Sequence, residues 1–472
     1  MTSPRVPIVI LGAGPAGLGA ALKLAQRGTF DVTVLERGAS VGGNSASFDV
    51  DGIRVDFGSH RLHPACSADV MQDIRGMLGD DLLERPRHGR ILLRGRWVHF
   101  PLKPFDLVSS LPPSFMLGFA RDALVPRRPA RGEETFATVL EQGLGRTICR
   151  DFYFPYATKI WGVGASELDA EQARRRVSAN SKWRLVSKVL RALLPSGERR
   201  GAHFFYPRDG FGQISDAYHS AAVEAGAVVR FDTTAAGIET DNGRAIAVRT
   251  TGPDGETRID SRMVLSTIPL PALANAVSPG PPEEVRESLG ALRYRAMVLI
   301  YLTLGTDQFT EYDAHYFPGT DVVITRLSEP KNYSLTSLPG STVLCAELPC
   351  SVGDQHWKAT EDELGQLVLD ALDRAGLTVT APLRGVIARR LSHAYPIYSR
   401  GYQEHFERID DWVGGIGGLV SLGRQGLFAH DNTHHTLAMA YAADECLDDN
   451  GRLDAARWAE NRHRFESHVV ED

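Results

Sequence analysis

The stretch VPIVILGAGPAGLG at residues 6–19, followed by DVTVLER at residues 31–37, decides the fold. Ile8, Val9, Ile10 and Leu11 form an apolar run suited to a strand buried on both faces. Gly12 permits the tight turn that follows. Gly14 lets the backbone approach a pyrophosphate, and Gly17 allows a helix to pack closely on the strand. Pro15 and Ala16 open that helix, whose N-terminus faces the pyrophosphate. Val32, Val34 and Leu35 supply a second strand, and Glu36 at its end is placed to accept hydrogen bonds from a ribose. A glycine-rich turn alone is common. Here strand, turn, helix, strand and terminal acid stand in order. They imply a bound adenine dinucleotide rather than a cofactor-free fold, and make redox-type chemistry the first expectation.

Composition bounds the rest. With 472 residues the chain is too long for one compact core, so two domains are expected. A net charge of −6 argues against a nucleic-acid partner. The five cysteines (Cys66, Cys149, Cys345, Cys350, Cys446) are scattered and form no C-x-x-C pair. Neither a zinc site nor a dithiol centre is suggested, no metal ligand set is read, and reduced thiols in a cytoplasmic setting are expected. No apolar run reaches membrane-spanning length, so no stable membrane insertion is expected. The moderately apolar Phe105–Val125 is broken by Pro112, Pro113, Arg121 and Asp122. It reads as a core helix or channel-lining element rather than a membrane-surface anchor.

Past Gly43 the pattern alternates. Ser47–Val50 and Ile53–Phe57 flank Asp51-Gly52, a hairpin signal, and a second hairpin is read around Arg94-Gly95-Arg96. Residues 105–200 read mostly helical. A helix over Gln213–Ala225 precedes short strands between residues 228 and 259, and Met263–Leu270 reads as a buried strand returning to the first sheet. Leu419–Gly423 is a further short strand, and Thr433–Asp444 an alanine-rich helix. The nucleotide unit is thus expected in three pieces, 1–100, 204–290 and 401–447. A substrate domain is expected at 101–203 and 291–400, and a C-terminal helix with a frayed tail at 448–472. No second G-x-G-x-x-G stands between a strand and a helix, so a separate NAD(P)H domain is not expected.

Several phrases resemble one flavoprotein superfamily. They are GAGPAGLGAA with VLERGASVGG, VDFGSHRLHP at Val55–Pro64, DFYFPYATKIWG at Asp151–Gly162, YPRDGFGQISDAY, and LGRQGLFAHDNTHHTLAMAYAA at Leu422–Ala443. That superfamily holds amine oxidases, protoporphyrinogen oxidases, carotenoid desaturases and UDP-galactopyranose mutases. The resemblance spans nearly the whole chain. It implies an α/β fold: a Rossmann-like FAD-binding domain of the GR2 type, with parallel sheet and β-meander, beside a discontinuous mixed α+β substrate domain. It implies FAD as cofactor, held by Gly12, Gly14, Pro15, Ala16, Gly17 and Glu36, and by Arg37, Gly43, Asn44, Gly58 and Ser59. Val229, Gly423, Arg424, Asn432, Thr433 and His434 complete that set. The helix opening at Asn432–His434 would aim its partial positive charge at the flavin. Asn432 also reads as a plain helix cap.

The resemblance places His60 over the flavin ring, where it would orient substrate or exchange a proton; the alternative is a packed turn residue fixing its loop. His63 carries the same pair of readings, and Arg61 reads as an anion clamp or a structural ion pair. Tyr153, Tyr156, Lys159 and Trp161 form an aromatic and basic cluster whose members at i and i+3 share a helix face. It suits substrate stacking or core packing equally. Arg293 and Tyr398 are further substrate-side candidates. Two activities remain open. One is an FAD-dependent oxidoreductase of oxidase, dehydrogenase or desaturase type acting on a small-molecule biosynthetic intermediate, with nucleotide-linked or glycosylated compounds among the candidates. The other is a redox-neutral, reduced-flavin-dependent nucleotide-sugar mutase. Phe428 and His430 stand where the mutases' aromatic hydroxyls are expected. A monomer or homodimer is expected.

Overall fold

A computed structural model describes residues 5–101, 110–124, 133–176, 203–334 and 338–470. Residues 105–109 and 125 of the Phe105–Val125 stretch, with Pro126, Pro129, Gly132 and residues 177–200 of the helical reading, lie outside them. The fingerprint folds as read. Strand β1 (Val6–Leu11) pairs in parallel with β2 (Phe30–Leu35), and helix α1 (Pro15–Gln26) crosses between them. β3 (Val228–Arg230), β4 (Met263–Ser266) and β5 (Leu419–Ser421) complete a five-stranded parallel sheet in the order β5-β4-β1-β2-β3. Its strands come from three distant parts of the chain. An antiparallel meander of Thr234–Asp241, Arg244–Gly252 and Gly255–Asp260 sits between β3 and β4.

The second large sheet has seven strands. Its centre is the Tyr294–Leu304 strand, paired antiparallel with Thr342–Cys350 and with Leu383–Pro396. Period-two alternation divides its side chains between two cores. Ala296, Val298, Ile300 and Leu302 join the core that also holds Leu364, Val368 and Leu372 of the Glu361–Arg374 helix. Met297, Leu299 and Tyr301 turn the other way, toward Val50 and Val55 of the first hairpin. The Gly89–Leu93 and Arg96–Phe100 strands, which the sequence groups with the nucleotide unit, lie in this sheet. Gly89–Ile91 pairs in parallel with Ala314–Tyr316. A pairing across that sequence distance leaves no local signal.

The C-terminal stretch holds one helix, Ala455–Glu466. Asp454 caps the Ala455–Glu466 helix by accepting the Arg457 N–H at 3.0 Å, and Trp458 and Phe465 are buried. Beyond it the Val470 amide donates to the Arg175 carbonyl at 2.9 Å. No helix among the described residues is long and apolar enough to cross a membrane.

Candidate active site and cofactor cavity

A cavity of about 550 Å³ opens between the C-terminal ends of the parallel sheet and the seven-stranded sheet. Ligands of open α/β sheets bind at such strand ends. The fingerprint glycines shape its nucleotide end. Gly12 has φ +98°, and its amide donates to the Leu35 carbonyl at 2.8 Å. A Cβ on Gly17 would lie 1.9 Å from the Gly12 carbonyl oxygen, so this helix can sit so close only with glycine there. A Cβ on Gly14 would meet no protein atom within 4 Å, leaving backbone open to the cavity. The Glu36 carboxylate accepts the Ala13 and Gly38 amides, each at 2.8 Å, and lines the same space with Pro15, Ala16, Arg37, Gly43 and Asn44. This donor set and uncovered turn fit the ribose and pyrophosphate of FAD.

Val229 sits in the middle of β3, paired with Val34, and is not on the cavity wall. Thr233, Thr234 and Ala235, just beyond that strand, are on it. The Asp232 and Thr233 amides donate to the Gly38 and Glu36 carbonyls, which fixes that loop against the acid.

The other end of the cavity is built on the loop Phe57–Arg61. Gly58 takes φ +94° with Glu347 Oε1 3.3 Å from where a Cβ would be, and the Ser59 amide donates to that oxygen at 3.1 Å. Below it Asp56 is buried, accepting from Ser47 Oγ at 2.6 Å, Tyr206 Oη at 2.7 Å and the Phe211 amide at 2.8 Å. Burial raises its carboxyl above the ordinary range against these bonds and His60. His60 Nε2 lies 2.9 Å from the Asn44 carbonyl and 3.0 Å from the Phe57 carbonyl. Two carbonyls can face only an N–H, so Nε2 carries the proton and Nδ1 is the acceptor. Its ring stacks on Phe211 at 5.2 Å. Burial lowers its pKa, with Asp56 pulling the other way. His60 therefore both lines the cavity and ties two loops together.

Arg61 pairs with Asp313 at 3.3 Å, donates to Tyr316 Oη at 3.2 Å and covers the Phe204 ring. Arg326 pairs with Glu347 at 2.6 Å. Arg61, Arg87, Arg326 and Glu347 line this end together with Tyr156, Tyr316 and Tyr395. Sequence reasoning missed Arg87, Arg326, Glu347 and Tyr316. Glu347 left one signal: it is the only charged residue in the otherwise buried apolar run TVLCAELPC.

The C-terminal segment closes the cavity. Gly423 has φ +79°, and a Cβ there would lie 2.9 Å from that of Ala16. Asn432 and Thr433 line the wall where the Thr433–Glu445 helix begins. A model of the flavin containing amine oxidoreductases matches residues 15–412. The chain belongs to this family of FAD enzymes. Over 290 residues the flavoenzyme is 28% identical to the zeta-carotene-forming phytoene desaturase of Myxococcus xanthus, covering 56% of this chain and 53% of that one. It thus spans about half the length of that curated relative. Its fold is that of reduced UDP-galactopyranose mutase, with a TM-score of 0.81 at 21% identity, covering 99% and 100% of the two chains. It is also that of putrescine oxidase, with a TM-score of 0.66 at 15% identity over 94% and 99%.

Other expected site residues of the flavoenzyme are held by the protein or lie off the cavity wall, Tyr156 excepted. Arg424 lines the cavity, but its guanidinium donates to the carbonyls of Ala394 at 2.8 Å and Asp431 at 3.0 Å and covers the Tyr395 ring. It holds the segment in shape. His434 is buried behind the wall, and its pKa falls to about 3 through burial. His63 Nδ1 accepts the Ala65 amide at 3.1 Å, away from the cavity wall. Of the aromatic cluster only Tyr156 reaches the cavity. Tyr153 packs on Phe152, and burial pushes its hydroxyl up to about 12. Lys159 donates to the carbonyls of Phe317, Val322 and Ile324 at 2.5, 2.6 and 3.2 Å, tying down that loop. Trp161 is buried against Phe136. Arg293 is exposed and donates to Ser399 Oγ at 2.9 Å. Tyr398 is buried, stacked on Tyr402 at 4.2 Å, and donates to the Phe428 carbonyl at 2.8 Å. The polar atoms of Arg424, His63, Lys159, Arg293 and Tyr398 are thus engaged by the protein itself.

Proposed function

We propose that the protein is an FAD-dependent oxidoreductase that removes a hydride from a small molecule bearing an anionic group. One observation carries the reading. The helix N-terminus at Asn432–Thr433 and the arginine-rich wall of Arg61, Arg87 and Arg326 line one cavity. When bound, FAD supplies a two-electron acceptor, and a helix N-terminus favours negative charge that develops beside it. Arg61 and Arg326 are held by Asp313 and Glu347, and with Arg87 they bring three guanidinium groups to one wall, a lining that suits an anionic substrate group. His60 holds the Asn44 and Phe57 loops through Nε2–H and offers Nδ1 as a proton acceptor. Tyr156, Tyr316 and Tyr395 orient the substrate and help exclude water.

A second reading is redox-neutral isomerisation of a nucleotide-linked sugar. The pairing of tyrosine hydroxyls with arginines favours it, since that wall suits a diphosphate and a sugar together. Against it, Phe428 and His430 are buried and neither is on the cavity wall. The test is anaerobic incubation of the yellow protein with nucleotide-linked sugars, once oxidised and once dithionite-reduced. Bleaching of the oxidised flavin by a substrate supports the oxidoreductase. Conversion in the reduced form alone, with no net electron transfer, overturns it in favour of the isomerase.

A further inference from the structure

Beside the cavity, Asp431, His435 and His468 bring a carboxylate and two imidazoles together, with one ligand atom from each all within 4.8 Å of one another. Asp431 is 3% exposed. Its Oδ2 lies 3.3 Å from His468 Nδ1 and its Oδ1 3.7 Å from His435 Nδ1. Donor atoms on one tetrahedral zinc ion, about 2.0–2.1 Å from it, stand about 3.3 Å apart. The two imidazole rings are stacked at 4.3 Å, so both edges face one carboxylate.

The tautomer of His435 sharpens the point. Its Nδ1 accepts the Asn432 amide at a long 3.3 Å, so the lone pair is on that nitrogen. His468 Nδ1–H donates to Asp431 Oδ2, so a bound ion takes the place of that proton and of the Asn432 N–H at His435 Nδ1. Next door, His434 Nδ1 is buried with no hydrogen-bond partner. We propose that Asp431, His435 and His468 bind one divalent ion of the zinc class. His468 lies 37 residues beyond Asp431, so the ion clips the C-terminal segment onto the first turn of the Thr433–Glu445 helix. Val470, two residues on, is part of the cavity wall, so the clip also fixes that wall. Two imidazoles and one carboxylate leave a coordination position for water. The sequence hid this set because Asp431 and His435 flank the start of one helix while His468 follows the end of another, and no cysteine marks them.

The test is calorimetric titration with zinc chloride of the FAD-loaded full chain, first stripped of metal by a chelator. His468→Ala is compared with His463→Ala, a change at an exposed histidine. One equivalent bound by wild type and by His463→Ala, and affinity lower by roughly a hundredfold in His468→Ala, supports the site. Equal affinity in wild type and His468→Ala, or no stoichiometric binding by wild type, overturns it. Should His468→Ala fail to fold, cobalt(II) added to wild type decides. Strong d–d absorption of a low-coordinate ion, displaced by zinc, supports the site, and only the weak bands of hydrated cobalt overturn it.

Discussion

At the residue scale the nucleotide end and the chemical end of the cavity make different demands. Gly14 is open to the cavity, so a side chain there fills cofactor space without touching the protein. Gly14→Val is therefore expected to fold with an unchanged far-ultraviolet spectrum and to purify colourless; absorbance of the bound flavin checks it. His60 differs, because its Nε2–H ties Asn44 to Phe57. His60→Ala is expected to retain FAD and lose turnover by roughly 10²–10⁴-fold, the usual range for a positioned acid–base group. Activity near wild type would assign His60 to loop packing alone. The nucleotide end was legible because its chemistry is backbone chemistry, and glycine spacing records it. The substrate end was not. Lys159 and Tyr398 have the chemistry of binding residues, yet three carbonyls take the first and the Phe428 carbonyl takes the second. Only the tertiary fold decides which polar atoms are already partnered.

At the element scale the close approach of helices depends on two glycines whose neighbours differ. A Cβ on Gly19 would meet Leu437 Cδ2 at 2.9 Å and Ala440 Cβ at 3.2 Å, across the contact between α1 and the Thr433–Glu445 helix. The leucine tip can swing aside, and Ala gains about 1 kcal/mol of helix propensity over Gly. Overpacking costs about 1–3 kcal/mol, so Gly19→Ala is expected to destabilise by at most about 2 kcal/mol. Gly17→Ala meets the Gly12 carbonyl itself at 1.9 Å. Relief there means moving the turn that holds the cofactor. It is expected to destabilise more than Gly19→Ala and also to weaken FAD binding; urea unfolding and flavin release measure the two effects. Elements were legible where pattern is local. The hairpin at Asp51-Gly52 forms with φ of +50° and +79°, as its residues require. Partners across long spans, such as Gly89–Ile91 with Ala314–Tyr316, were not.

At the scale of the whole molecule, pH dependence exposes a buried group that the fold keeps neutral. His315 is 1% exposed in the seven-stranded sheet, its ring edge-on to Trp97, and its Nε2 has no hydrogen-bond partner. Burial, reinforced by Arg90, lowers its pKa to about 3. The unfolded chain, with His near 6.5, then binds the proton that the folded chain refuses. Unfolding free energy rises with pH wherever the unfolded state holds more protons. The contribution of His315 is therefore complete above about pH 6.5 and falls as pH drops toward 3. Each pH unit within that window costs about 1.4 kcal/mol. His315→Gln fills similar volume without titrating, so subtracting the two proteins cancels the shared carboxylates. The wild-type advantage, measured by urea unfolding, is expected to shrink by roughly 2 to 3 kcal/mol between pH 6 and pH 4. A difference that stays constant across those two units would mean that the folded protein admits the proton, and that the sheet opens around His315 without unfolding.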